Sequence, residues 1–331
     1  MASVLVVIVH YRTPDLTIEC LRSLESEIRD HGDASVVVVD NQSQDGSAAR
    51  LTDAIRDNGW GAWARVIESP VNGGFAYGNN HVIRPALANA VAAPAYFWLL
   101  NPDTTIYPGA MRTLVDFLAA RPSAGLAGSA IEERPGQVWP YAFRFPSLLS
   151  ELDDGLKLGL VTRLLSRWAI LEPMDGRDRC VDWVPGASLM VKREVFDAVG
   201  LMDENYFLYY EETDFCLQAK RAGWDCWYVP QSRVFHVAGA STGMVDRPPE
   251  PRRLPHYWFE SRRRFFVKNK SRLYAMATDV VWMLCYAAWR VRRVLQRKND
   301  YEPPHLFADF LRNSSLLKSE IAVNPAVARS P

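Results

Sequence analysis

At 331 residues, with 48% hydrophobic and 23% charged side chains, the chain can bury a sizeable core, and its composition excludes a disordered or fibrous protein. Lys plus Arg and Asp plus Glu number 38 each, so charge gives no reason to expect nucleic acid as the main partner. The balance hides an asymmetry: thirteen basic residues between Arg252 and Lys298 stand against two acids, Glu260 and Asp279, so a basic segment is attached to an acidic body.

The chain opens with Val4–Val9, a continuous β-branched apolar run with no basic leader before it, so a buried strand is expected there and a secretory signal is not. Thr13-Pro14-Asp15 then starts a helix through Leu16, Cys20, Leu21 and Leu24. Val36–Val39 repeats the strand pattern, ends at Asp40, and gives way to a polar loop and a helix over Ala48–Ile55. Val66-Ile67 is a weaker strand before Asn72-Gly73-Gly74, and Tyr96–Leu100 a strong one that stops at Asn101-Pro102-Asp103. From Pro122 to Asp182 the pattern loosens into an irregular excursion with one short helix near Leu156–Trp168. Order returns with a strand over Ala187–Val191, helices over Arg193–Val199 and Thr213–Ala222, and a strand over Cys226–Val229. Arg247–Pro255, rich in Pro and Arg, reads as a linker into the basic region. Strands alternating with helices and lacking hairpin turns predict an α/β fold with a mainly parallel sheet covered on both faces. Cys20, Cys180, Cys216, Cys226 and Cys285 are odd in number and lack CxxC spacing, which reads as buried thiols in a reducing compartment, the cytosol.

In such a sheet, ligands sit at the carboxyl ends of strands, where helix N-termini favour anions. There is no G-x-G-x-x-G fingerprint and no Walker A loop, which weakens dehydrogenase and P-loop readings. Asp40 could accept hydrogen bonds from a base or ribose, or simply form a turn. Asn72–Asn80 is a glycine-rich loop feeding a helix, able to bring backbone close to a ligand. Asp103 is the first carboxylate after a very apolar strand, suited to a divalent ion bridging a diphosphate or to a solvated turn. Glu211, Glu212 and Asp214 crowd a helix start among aromatics Phe207, Tyr209, Tyr210 and Phe215, where a carboxylate could act as general base. His236 alone reads as a core histidine.

Five ordered segments, VVVVDNQSQDGS (Val36–Ser47), NGGFAYGNN (Asn72–Asn80), FWLLNPDT (Phe97–Thr104), Trp183–Phe215 and Phe235-His236, resemble family 2 glycosyltransferases of the GT-A fold, within a bacterial rhamnosyltransferase-like subgroup. The resemblance spans roughly residues 3–240. It implies a nucleotide-sugar site built from Val9, His10, Tyr11, Asp40, Asn72, Gly73, Gly74, Phe75, Asn79, Asn101 and Asp103, with Trp183 and Gly186 shaping the sugar and acceptor region. Asn101 replaces the first acid of the family's Asp-x-Asp motif, which leaves Asp103 as the main carboxylate for Mg²⁺ or Mn²⁺. His236, 24 residues beyond Glu212, takes the place of a histidine that completes the metal shell in several relatives. Glu212 matches the catalytic base, with Glu211 and Asp214 as fallbacks.

The resemblance further implies an inverting transfer of a sugar, L-rhamnose from dTDP-L-rhamnose, to a saccharide or lipid-linked saccharide in cell-surface polysaccharide or glycolipid assembly. A sugar nucleotidyltransferase and a catalytically silent nucleotide-sugar scaffold are the competing readings. The expected organisation is a GT-A domain over 1–245, its donor half about 1–120 and its acceptor half about 121–245, followed by a helical basic segment over 246–331. Leu273–Trp289 is apolar but short and holds Asp279, which fits a helix lying on a membrane or buried against a neighbour better than a span. In the membrane reading Arg262-Arg263-Arg264 and the cluster Arg290–Lys298 face anionic headgroups, and the protein is peripheral at the inner face of the cell membrane.

Overall fold

The computed structural model describes residues 2–89, 93–134, 136–139, 141–173, 175–237, 252–321 and 323–327; residues 247–251 of the expected linker lie outside them. The described residues form ten strands: β1 (Val4–His10), β2 (Ala34–Asp40), β3 (Ala64–Glu68), β4 (Tyr96–Leu100), β5 (Thr104–Ile106), β6 (Ala124–Arg134), β7 (Gln137–Val138), β8 (Arg179–Val181), β9 (Ser188–Lys192) and β10 (Asp225–His236). The helices are α1 (Pro14–His31), α2 (Ser47–Asp57), α3 (Gly74–Ala88), α4 (Ala110–Ala120), α5 (Leu148–Leu156), α6 (Gly159–Leu164), α7 (Arg193–Val199), α8 (Glu211–Arg221), α9 (His256–Asn269), α10 (Arg272–Leu295) and α11 (Leu306–Asn313).

One sheet runs in the order β3-β2-β1-β4-β9-β6-β10-β5, with β7 on β6 and β8 on β10. The expected mainly parallel α/β sheet is present: β3, β2, β1, β4, β6 and β10 point one way, and β9 runs antiparallel between β4 and β6. Every residue of β1 is buried, which is why its sequence is apolar without alternation. Val4, Val6 and Ile8 enter one core with α1, α2 and α4, while Leu5 and Val7 enter the other with α3, α7 and α8.

Within the expected irregular excursion, the structure instead places β6, an eleven-residue strand at the centre of the sheet. Apart from Leu126, its run Ala124–Ala130 is made of small residues because neighbours press on it: a Cβ on Gly128 would stand 2.5 Å from Val184, and one on Gly125 would stand 2.6 Å from Val195. The single helix expected near Leu156–Trp168 is two, α5 and α6, separated at Lys157, whose φ is +47°. Ser147 starts α5 through a reciprocal capping box with Ser150. All five cysteines are free, and Cys180 is exposed rather than buried.

The basic segment is tied into the body. Arg262, expected to face headgroups, is buried and donates to Glu151 at 2.6 Å and to Asp279 at 2.5 Å; the other Asp279 oxygen accepts from the Ser315 amide at 2.7 Å. Arg263 is also buried and donates to the Asn313 carbonyl. A guanidinium can leave water only where carboxylates and carbonyls replace its hydration, and here residues 17 and 111 positions away supply them. Among the described residues, no helix is long and apolar enough to cross a membrane.

Candidate active site

The carboxyl ends of β1, β2 and β4, the start of α3 and the turn before α8 enclose a cavity of about 590 Å³ lined by Val9, Tyr11, Asn41, Asn72, Gly74, Phe75, Asn101, Pro102, Asp103, Phe207, Leu208, Tyr209, His236 and Tyr257. A smaller cavity of about 150 Å³ adjoins it through Phe75, Asn101, Leu208, Tyr209 and His236, and adds Tyr141, Gly186, Glu211 and Glu212. Asp103 and Glu212, 109 positions apart in the chain, therefore reach the same cleft.

The glycine loop is fixed by contacts that only its sequence permits. Gly74 has φ +84°, and a Cβ there would stand 1.7 Å from the Phe207 carbonyl oxygen, which accepts from the Phe75 amide at 3.0 Å. Asn41 donates to Asn72 Oδ1 at 3.0 Å and to the Gly74 carbonyl at 3.2 Å, joining the β2 and α3 loops.

At the other wall, β5 and β10 pair antiparallel with His236 opposite Thr104, so the register brings the imidazole beside Asp103. His236 Nε2 lies 3.2 Å from Asp103 Oδ1 and 3.1 Å from Asn101 Nδ2. Asp103 is buried and its Oδ1 receives no hydrogen bond. Two lone-pair atoms held this close are favourable only with a proton or a cation between them, and adjacent donors on an octahedral ion with bonds near 2.1 Å stand about 3 Å apart. The spacing is that of an ion pair with a protonated imidazole and equally that of two neighbouring donors on Mg²⁺ or Mn²⁺. Because no described cluster offers three His, Cys, Asp or Glu ligands, the rest of a coordination shell would come from ligand oxygens and water.

Glu211 and Glu212 open α8 after two residues, Tyr209 and Tyr210, held at φ +69° and +67°. Non-glycine residues persist there only where surroundings impose the shape. The Phe207 carbonyl is held by Phe75, the Leu208 carbonyl by Ser261 at 3.0 Å, and the Tyr209 ring stacks on Tyr257. Oε2 of each glutamate is enclosed without a hydrogen-bond partner. Burial raises the pKa of both carboxyls: Glu212 to about 7, opposed by backbone N–H groups including that of Gly186, and Glu211 further, because Glu212 lies beside it. Two carboxyls this close titrate as a coupled pair, so their raised proton affinity belongs to the pair rather than to either residue.

Other expected site residues lie outside both cavity linings. Asp40 is buried with Oδ1 accepting the Ser43 amide at 2.7 Å, the turn-forming role. His10 is buried against Thr17, Asn79 donates to the Phe75 carbonyl, and Trp183 stacks on Phe143 and donates to the Arg144 carbonyl. Asp214, the second fallback for the base, is held by Lys268 and Asn269 at 2.8 and 2.6 Å, which anchors α8 to α9. Gly73 acts through its carbonyl, which accepts from Asn324 at 2.8 Å. Tyr257 lines the larger cavity and Asn324 braces the loop beside it, so residues beyond 245 reach the site and its support; neither carries a local sequence signal, and Asn41 was visible only as the residue after Asp40.

A sheet of this order with a nucleotide-sized cleft at its carboxyl edge defines a GT-A glycosyltransferase fold. Its overlap with mannosyltransferase PcManGT from Pyrobaculum calidifontis, solved in complex with GDP-Man and Mn²⁺, has a TM-score of 0.56 over 89% of this chain and 75% of that one, at 14% identity. Residues 5–159 match the Glycosyl transferase family 2 profile. The N-acetylglucosaminyl-diphospho-decaprenol L-rhamnosyltransferase of Mycobacterium tuberculosis is 30% identical over 217 residues, 63% of this chain and 68% of that protein. Rhamnosyltransferase WbbL of Escherichia coli is 26% identical over 172 residues, 51% of this chain and 63% of that protein. The chain belongs to glycosyltransferase family 2, among its rhamnosyltransferase-like members.

Proposed function

We propose that this glycosyltransferase moves L-rhamnose from dTDP-L-rhamnose to a saccharide or lipid-linked saccharide, with inversion at the anomeric carbon. The observation that carries the reading is the pair of glutamates, Glu211 and Glu212, each with an enclosed Oε2 that has no hydrogen-bond partner, in a cavity sharing a wall with the Asp103–His236 corner. Rhamnose as the sugar is supported by the names of the M. tuberculosis and E. coli relatives, and a lipid-linked acceptor by the first of them.

In this reading Asn72, Gly74 and Phe75 approach the donor with backbone, and Asp103 and His236 hold Mg²⁺ or Mn²⁺. When bound, that ion neutralises charge on the departing diphosphate. Glu212 removes the proton from the acceptor hydroxyl, whose oxygen bonds to the anomeric carbon as the bond to the nucleotide phosphate breaks on the opposite face. Burial and the neighbouring Glu211 carboxyl raise the proton affinity that a base in this position needs. Tyr209, Phe207 and Tyr257 give the cleft an aromatic wall.

Thermal-shift measurements against a panel of nucleotide sugars, each with and without Mn²⁺, test the reading, since a specific ligand raises stability by mass action. Stabilisation by dTDP-L-rhamnose that needs Mn²⁺ is the expected result. Preference for a UDP- or GDP-sugar would overturn the donor while sparing the family, and indifference to every nucleotide sugar would overturn the enzyme.

A further inference from the structure

We infer that the outward face of α10 seats on an anionic lipid bilayer, with the helix lying in the plane of the headgroups. Its inward face is polar-lined and occupied: Asp279 pairs with Arg262, and Thr278, Trp282 and Tyr286 are buried. The opposite face carries Leu273, Val280, Leu284, Val291 and Leu295, which are 78%, 37%, 68%, 62% and 79% exposed. Their spacings of seven, four, seven and four residues put them on one stripe about 33 Å long. Between Arg272 and Arg290 the only charged residue is Asp279, which faces inward, and Arg290, Arg292 and Arg293 flank only the last turn of the stripe. An uncovered stripe this long is a recognition surface rather than scattered surface leucines.

Charge selects the occupant. Lys270 and Arg272 at one end of the helix and Arg297 and Lys298 at the other are exposed, and no described acid pairs with them, whereas Arg290 and Arg293 are already paired with Asp300. A second copy laid along the stripe, parallel or antiparallel, would set cations against cations at both ends. Anionic headgroups meet both ends at once while acyl chains take up the leucines. The adjoining helix has the same character: Arg292 fastens the Leu156 and Lys157 carbonyls to the end of α10, and α6 beyond them exposes Leu160 and Leu164, 66% and 71%, beside Arg163. This inference depends on the surface of α10 alone and not on the transfer chemistry.

Flotation of the full chain with vesicles of phosphatidylcholine, alone or mixed with phosphatidylglycerol, tests it. Binding is expected only to the mixed vesicles and weakens with salt. The double variant Leu284→Glu, Val291→Glu, whose sites are solvent-exposed, should lower partitioning by more than about tenfold with an unchanged melting temperature. The charge variant Arg272→Glu, Lys298→Glu leaves the apolar stripe intact and should lower it by at least about fivefold per cation reversed. Absence of binding to mixed vesicles, or binding indifferent to both variants, would overturn the inference. A dimer in sedimentation velocity that Leu284→Glu, Val291→Glu dissociates, with no vesicle binding, would overturn it in favour of a second copy.

Discussion

Replacing Glu212 by Gln separates catalysis from stability and moves them in opposite directions. Gln keeps the shape but cannot take a proton, and a positioned general base contributes about 10²- to 10⁴-fold to the rate. The transfer rate should fall by that factor with little change in donor affinity. Stability follows from the raised pKa. The carboxyl titrates near 4.5 when unfolded and at about 7 when folded, so the folded chain binds the extra proton between those values. Stability therefore declines as pH rises through that window, and above it the ionised, buried group costs about 3 kcal/mol. Gln removes that cost, so the variant should be more stable than the parent by up to about 3 kcal/mol at pH 8 and gain nothing at pH 4. Urea unfolding at both pH values, beside initial rates of nucleoside diphosphate release, measures both effects. A variant within about threefold of parental activity, or one stabilised equally at both pH values, would refute the assignment of Glu212 as a buried base.

Asp214→Asn should lose about 1 to 3 kcal/mol, because Lys268 loses one of its two charged partners and keeps only Asp203, while turnover per folded molecule stays within about threefold; collapse of turnover in a stably folded variant would return Asp214 to the catalytic set. Arg262→Met leaves Glu151 and Asp279 buried without their cation and should destabilise the fold by about 3 to 5 kcal/mol, seen as a lower urea midpoint. A loss under about 1 kcal/mol would mean that water reaches those acids. Gly74→Ala must move Phe207 or break the Phe75 bond, so binding of the donor nucleotide by calorimetry should weaken by at least about tenfold; unchanged affinity would show that the loop does not approach the donor.

What could be read from sequence followed the physics of burial. β1, β2 and β4 are covered on both faces, so their apolar runs were unmistakable. β6 is as deeply buried, yet its Ala, Gly and Ser content looks like loop; its small size answers to Val184, Val195 and Trp224, which lie far along the chain. β10 was read only to Val229 because Pro230 ends most strands, but a register shift between Val229 and Arg233 carries pairing past it to His236. The site divides likewise. Asp103 and Glu212 stand at a strand end and a helix start, positions that local patterns mark. Tyr257 joins the cleft and Asn324 braces the glycine loop through tertiary contacts with no local trace, and nothing in the string Arg262-Arg263-Arg264 says that its first member is buried between Glu151 and Asp279.

The most direct test is an anomalous difference map from crystals grown with MnCl₂ and an unreactive dTDP-L-rhamnose analogue. The account predicts a manganese peak bonded to Asp103 Oδ1 and His236 Nε2, with the diphosphate on the ion and the anomeric carbon open on the side of Glu212. Manganese bound elsewhere, or a sugar whose open face points away from Glu212, would contradict it.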